Sequence, residues 1–301
     1  MSRRMRANIL LLITTIIWGT AFVAQKAGAD IGNFTYGGIR TFLGGLVLIP
    51  VIFILNRGKT PIFAPERKEQ NKLNLIGGLA CGVVLFVAGS LQQFGVAYTT
   101  VAKSGFITVM YVAFVPLIGL LLGKRVGKRT WICVVLCCVG FYFLSLYGEH
   151  LTLQLGDLLV LLCAIGFSIH ILVIDYYSPK CDGVMMACIQ FLTAGLLGII
   201  CMFIFEEPNI QDILACWLPI LYAGVLSSGV AYTLQIVAQK DAEPTQASLI
   251  LCLESVFAAL AGAWLLSERM SLIQYAGCAI IFAASIISNL PEKTEKLPEK
   301  K

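Results

Sequence analysis

The sequence predicts an all-α integral membrane protein: ten transmembrane helices as two inverted five-helix repeats, both termini cytoplasmic. Three observations carry that expectation. Of 301 residues, 58% are apolar and only 13% charged, against about 25% charged in a soluble globule. The apolar residues fall into ten runs near the roughly 20 residues that a helix needs to cross a bilayer. The basic residues gather in alternate loops, which orients the chain, because loops rich in Lys and Arg stay in the cytoplasm.

Taken in order, residues 1–6 (MSRRMR) form a short basic cytoplasmic head. The run 7–27 ends near Ala27-Gly28-Ala29, a small-residue pattern that resembles a signal-peptide cleavage site. It is read as a retained span, because it is long enough to cross and carries Trp18-Gly19 and Gln25-Lys26. Nine further spans are expected at 34–55, 73–97, 102–122, 129–147, 156–176, 184–205, 213–238, 244–266 and 272–290. Most connections are very short. Only 56–72 is sizeable, and it is basic. The tail, 291–301 (PEKTEKLPEKK), is too polar to pack and is expected to be a disordered cytoplasmic segment.

With the head in the cytoplasm, the cytoplasmic segments collect every Lys and Arg except Lys26, Arg40, Lys103 and Arg269. Both termini then lie on that side, which requires an even number of spans. The net charge of +5 is therefore a topology signal and not a nucleic-acid surface. Most of the eleven cysteines sit inside apolar runs, where cysteine behaves as a small hydrophobe. With no C-x-x-C pair and only His150 and His170, a zinc site is not expected, and no cofactor is implied.

Residues 93–104 resemble 235–248, each followed by a span and a short polar turn, and Trp18-Gly19-Thr20-Ala21 pairs more faintly with Ile165-Gly166-Phe167-Ser168. Five spans per half give the halves opposite orientations in the membrane, a transporter design with the site near mid-depth at their interface. The repeats are expected at 7–147 and 156–290.

The candidate site begins with Glu254, the one charge between Pro244 and Leu266. A charge at mid-membrane costs at least ~2.5 kcal/mol even on lenient insertion scales, so it should face a cavity or a partner. Such a carboxyl could exchange a coupling proton or meet a substrate charge. Arg40, about two turns into the second span, suits a carboxylate, since its guanidinium forks onto one; snorkelling to the interface is the bland reading. Ser104, Thr108 and Tyr111 follow at i, i+4 and i+7 and give the fourth span a polar face. In the repeat alignment Tyr111 falls near the counterpart of Glu254. Gln92, Tyr232, Gln235 and His170 are further polar residues within spans. Trp18 lies mid-span, away from the interfacial belt. Each of these could alone be an ordinary helix–helix contact; as a set they suggest a lined cavity.

Several of these residues fall in a wider pattern. Trp18-Gly19 with Lys26, Arg40, Gly105-Phe106, Leu253-Glu254-Ser255-Val256-Phe257, Leu266-Ser267-Glu268-Arg269 and Gly277 together resemble the EamA-type members of the drug/metabolite transporter superfamily over about residues 7–290. The sequence departs from the pattern at Ser255, where the family usually has proline. It departs again at Lys124-Arg125, where many members carry a glutamate like Glu268 of the second half. The resemblance implies a secondary transporter of the plasma or inner membrane, commonly an exporter of amino acids, related metabolites or drugs. It also implies a cavity lined mainly by spans 1, 3, 4, 6, 8 and 9.

The expected partners are a small-molecule substrate, the lipid bilayer and a coupling proton, with no nucleic acid; no oligomeric state follows from the sequence. A membrane-embedded lipid or isoprenoid transferase is the competing reading. It needs metal-binding acid clusters or a nucleophile with its base, and the chain has no D-x-x-D, H-x-x-x-H or G-x-S-x-G. An enzyme is therefore not expected.

Overall fold

The structure, a computed structural model, describes residues 2–28, 31–58, 61, 64–98, 101–145, 147, 154–265 and 270–290. The expected disordered tail, 291–301, lies outside these residues.

Among the described residues the chain is helical, without strands. The first half holds α1 (Arg3–Ala27), α2 (Asn33–Leu55), α3 (Lys68–Tyr98), α4 (Val101–Thr108), α5 (Tyr111–Leu121) and α6 (Lys128–Ser145). The second half holds α7 (Leu155–Tyr177), α8 (Gly183–Phe205), α9 (Ile210–Ala215), α10 (Trp217–Tyr222), a π-helical segment (Ala223–Tyr232), α11 (Thr233–Ala238), α12 (Pro244–Leu251), α13 (Glu254–Leu265) and α14 (Leu272–Asn289). Eight described stretches are long and apolar enough to cross a membrane. The 25-residue α1 and the 18-residue α6, each opening on basic residues, lie outside that set.

Two expected spans are broken at mid-length. The fourth is divided between α4 and α5, and the ninth between α12 and α13. At both breaks the backbone tightens to hydrogen bonds three residues back, as in a 3₁₀ turn. Met110 N–H donates to Ile107 O at 3.2 Å and Val112 N–H to Val109 O at 3.0 Å; Leu253 N–H donates to Ile250 O at 3.0 Å and Ser255 N–H to Cys252 O at 3.4 Å. These bonds occupy matching positions in the two halves.

Small residues set the helix crossings. A methyl on Gly195 would lie 2.4 Å from the Phe42 backbone nitrogen, and one on Gly38 would lie 2.8 Å from Gly198. Thus α2 and α8 cross almost backbone to backbone, as small residues permit in membranes. Gly19 does the same for α1 and α13, with the Ala258 nitrogen at 2.8 Å and the Glu254 carbonyl at 2.9 Å from the added carbon. The packing partners correspond between halves: α3 packs on α7 and α8, while the π segment packs on α1 and α2. Likewise α4 and α5 pack on α7, and α12 and α13 on α1.

Hydrogen bonds tie the loop ends into two faces. On one, Arg4 donates to Asn289 O at 3.2 Å, Arg129 to Leu290 O at 2.8 Å, Lys240 to Cys181 O at 2.7 Å, and Lys124 pairs with Asp175. That face carries the basic head and the basic loops. On the other, Glu206 accepts from the Phe34 and Thr35 amides and the Thr35 hydroxyl at 2.7–2.9 Å, capping the start of α2. Large apolar side chains such as Phe53, Phe203, Leu121 and Trp264 point outward, as a lipid-facing surface requires. Of the eight apolar stretches, Pro244–Ala261 is the most enclosed: 67% of it is buried, against 28% of the apolar window within Asn33–Leu55. It stands at the centre of the bundle.

Candidate functional site

Both helix breaks open on one cavity. Tyr111 is the first residue of α5 and Glu254 the first of α13, and both line it. A carboxylate in the first turn of a helix is favoured by the partial positive charge there, so the break gives Glu254 a setting that an unbroken span would deny it. The Tyr111 hydroxyl faces this carboxyl but closes no hydrogen bond of good geometry with any described residue.

The π segment and α1 shape the opposite wall. Trp18 Nε1 donates to Ser227 O at 3.3 Å, and Thr14 Oγ1 to Ala231 O at 3.0 Å, so side chains of α1 take two carbonyls of the widened turn. Such π-helical turns recur at functional sites. The Tyr232 ring lies tilted at 4.5 Å from that of Trp18 and edge-on at 5.9 Å from that of His170. His170 Nε2 is 3.0 Å from Gln190 Oε1, a buried pair that fixes the imidazole ring.

Arg40 reaches the cavity from α2. Gly224 packs against the Arg40 carbonyl, 2.9 Å from an added methyl, and so pins this part of α2 to the π segment. The guanidinium carbon stands 5.4 Å from the centroid of the Tyr36 ring. Its Nε is buried without a hydrogen-bond partner, and no described carboxylate lies within ion-pair reach. Gln235 Oε1, also at the cavity, is likewise unpartnered among the described residues, while Gln92 Nε2 donates to Thr108 Oγ1 at 3.3 Å. The cavity thus presents a carboxyl facing a hydroxyl, together with a guanidinium nitrogen and an amide oxygen that find no partner among the described residues.

Of the residues singled out from sequence, Trp18, Arg40, Gln92, Thr108, Tyr111, His170, Tyr232, Gln235 and Glu254 line this cavity. Ser104 does not; it is buried one turn nearer the start of α4, a helix packed against α6 and α7. Sequence reasoning passed over Gln25, Ser227, Phe167 and Leu251, which also contribute to the wall. Gln25 carried a signal, a polar residue inside an apolar run; Phe167 and Leu251 carried none. The lining includes α2 through Arg40, in addition to the six spans implied by the resemblance.

Comparison with known proteins agrees with this architecture. The description "EamA-like transporter family" matches residues 5–146 and again 154–290. An uncharacterized transporter of Archaeoglobus fulgidus is 30% identical over 290 residues, covering 96% of this chain and 87% of that protein. The uncharacterized inner membrane transporter YedA of Escherichia coli is 25% identical over 285 residues, covering 91% and 88%. One crystal structure superposes with a TM-score of 0.75 at 17% identity, covering 94% of this chain and 96% of that one, and so shares the fold. A multi-pass helical membrane protein matched twice by one transporter description, the chain belongs to the EamA-like transporter family.

Proposed function

We propose that the protein is a secondary active transporter of the cell's plasma or inner membrane that exports amino acids or related small metabolites or drugs. The chain crosses ten times, α1 and α6 included, with both termini in the cytoplasm, as two inverted repeats at 7–147 and 156–290. The two family matches, the corresponding packing partners and the shared basic face of Arg4, Arg129 and Asn289 support that topology. The halves rock around the central cavity and open it to each side in turn. Net movement requires that substrate and coupling ion bind the two states differently.

One observation carries this reading: two helices, broken at matching positions, present Tyr111 and Glu254 to a cavity that also holds Arg40, which has no ion-pair partner among the described residues. Discontinuous helices that bring their ends to a mid-membrane site are how transporters bind charged substrates and ions. In this reading Glu254 meets the ammonium of the substrate or the coupling proton, and Arg40 meets its carboxylate. Trp18, Gln92, Thr108, Tyr111, His170, Tyr232 and Gln235 complete the wall.

Proton coupling is tested by imposing a pH step across proteoliposomes loaded with the purified protein. Accumulation of a labelled amino acid should follow the proton gradient and collapse with a protonophore. Uptake indifferent to pH and to the protonophore would eliminate the proton.

A further inference from the structure

A second cavity adjoins the first. It lies between α2, α3 and α8, and it shares Arg40, Gln92, Phe167 and Tyr232 with the central one. These four residues form the neck between two chambers. The walls differ in chemistry. The central chamber holds Glu254, Tyr111 and His170, whereas the second sets Phe34, Phe86 and Phe191 among uncharged polar residues such as Asn33, Thr41 and Ser90 and holds no acid among the described residues.

Glycines contribute part of the second chamber's wall. A methyl on Gly37 or on Gly89 would meet nothing within 4 Å, although both residues line the chamber. Their neighbours behave oppositely: Gly38, next along α2, is clamped against Gly198, and Gly82, earlier on α3, against Thr193. Glycine weakens a helix interior, and at Gly38 and Gly82 close packing accounts for it. At Gly37 and Gly89 no packing does, and what the missing side chains leave is room. Beside that room stands the only described cation of either chamber, Arg40, with its Nε unpartnered.

We propose that the chamber between α2, α3 and α8 is a specificity compartment that takes the bulky apolar end of a carboxylate ligand, whose carboxylate is held by Arg40 at the neck. The reading rests on the central cavity being a substrate site, and it adds which substrates enter: carboxylates with a large apolar or aromatic group, in preference to small ones. Gly37 and Gly89 set the size limit. Arg40 is selective because a guanidinium binds a planar carboxylate through two parallel hydrogen bonds, which the corresponding amide cannot accept in the same way.

The test is equilibrium binding to the purified full-length protein in nanodiscs, with L-phenylalanine, L-alanine and L-phenylalaninamide as probes. Phenylalanine should bind at least about tenfold more tightly than either other probe. Gly89→Leu should abolish its advantage over alanine, and Gly89→Ala, which fills less of the chamber, should reduce that advantage less. Arg40→Gln should abolish its advantage over the amide. Gly37→Leu fills the chamber from the opposite helix and decides the matter if Gly89→Leu elutes as aggregate. Equal binding of phenylalanine and alanine to the wild type, binding of none of the three, or unchanged discrimination in both leucine variants would overturn the proposal. Phenylalanine binding with the expected mutant pattern but no uptake into liposomes would sink the transport reading and leave the compartment standing.

Discussion

Charged side chains within this bundle divide into those the fold has partnered and those it has not. Glu206 belongs to the first group: its carboxylate accepts three hydrogen bonds at the start of α2. Glu206→Ala should therefore cost about 1–2 kcal/mol, the size of a lost helix cap, seen as a lower thermal midpoint with substrate selectivity unchanged. Lys124 pairs with Asp175 at a half-exposed position, where such pairs contribute about 0–1 kcal/mol. Lys124→Met should scarcely move the thermal midpoint; a large drop would mean that the pair is a structural latch. Arg40 belongs to the second group among the described residues, and it and Glu254 were the easiest to find from sequence, because a charge inside an apolar run has no inexpensive explanation. Gln25 was overlooked because it is weakly polar and near the end of its run. Gly37 and Gly89 gave no signal at all, since a glycine that packs and a glycine that leaves space look the same in a sequence.

Among the elements, the eight stretches long and apolar enough to cross a membrane were legible as runs, and the breaks within two of them were not. Residues 102–122 and 244–266 read as continuous apolar helices, and the interruptions at Val109-Met110 and Cys252-Leu253 involve no proline or glycine. Local propensity is silent at those residues, although Pro116 lies within α5 about a turn beyond the first break. The π turn at Ala223–Tyr232, which contains Gly224 and Gly229, was not read from the sequence. Helix crossings were better marked, because small residues at helical spacing are what close approach requires. The α2–α8 crossing is the clearest. With 2.4 Å between a Gly195 methyl and the Phe42 nitrogen, Gly195→Val overpacks the contact and should cost about 1–3 kcal/mol or more. Gly105→Ala, where an added methyl meets open space, should be neutral or stabilising. Thermal unfolding of the two purified variants side by side checks this, and equal midpoints would refute the close crossing.

At the scale of the whole molecule, the topology proposed above puts both ends of the chain on one side of the membrane. A fluorescent protein fused after Lys301 should be bright, as it folds in the cytoplasm, while alkaline phosphatase fused after Asn209, between α8 and α9, should be active outside. The reverse pattern would invert the protein in the membrane. The central claim is that the cavity at the two helix breaks is where substrate binds during transport. It is tested most directly by uptake of a mixed pool of labelled amino acids and organic cations into proteoliposomes, wild type against Glu254→Gln. The account predicts that one class accumulates in the wild type and that the variant, though folded, loses at least about tenfold of that uptake, roughly 1.4 kcal/mol or more. Undiminished accumulation by Glu254→Gln would contradict it and move the site away from the ninth span.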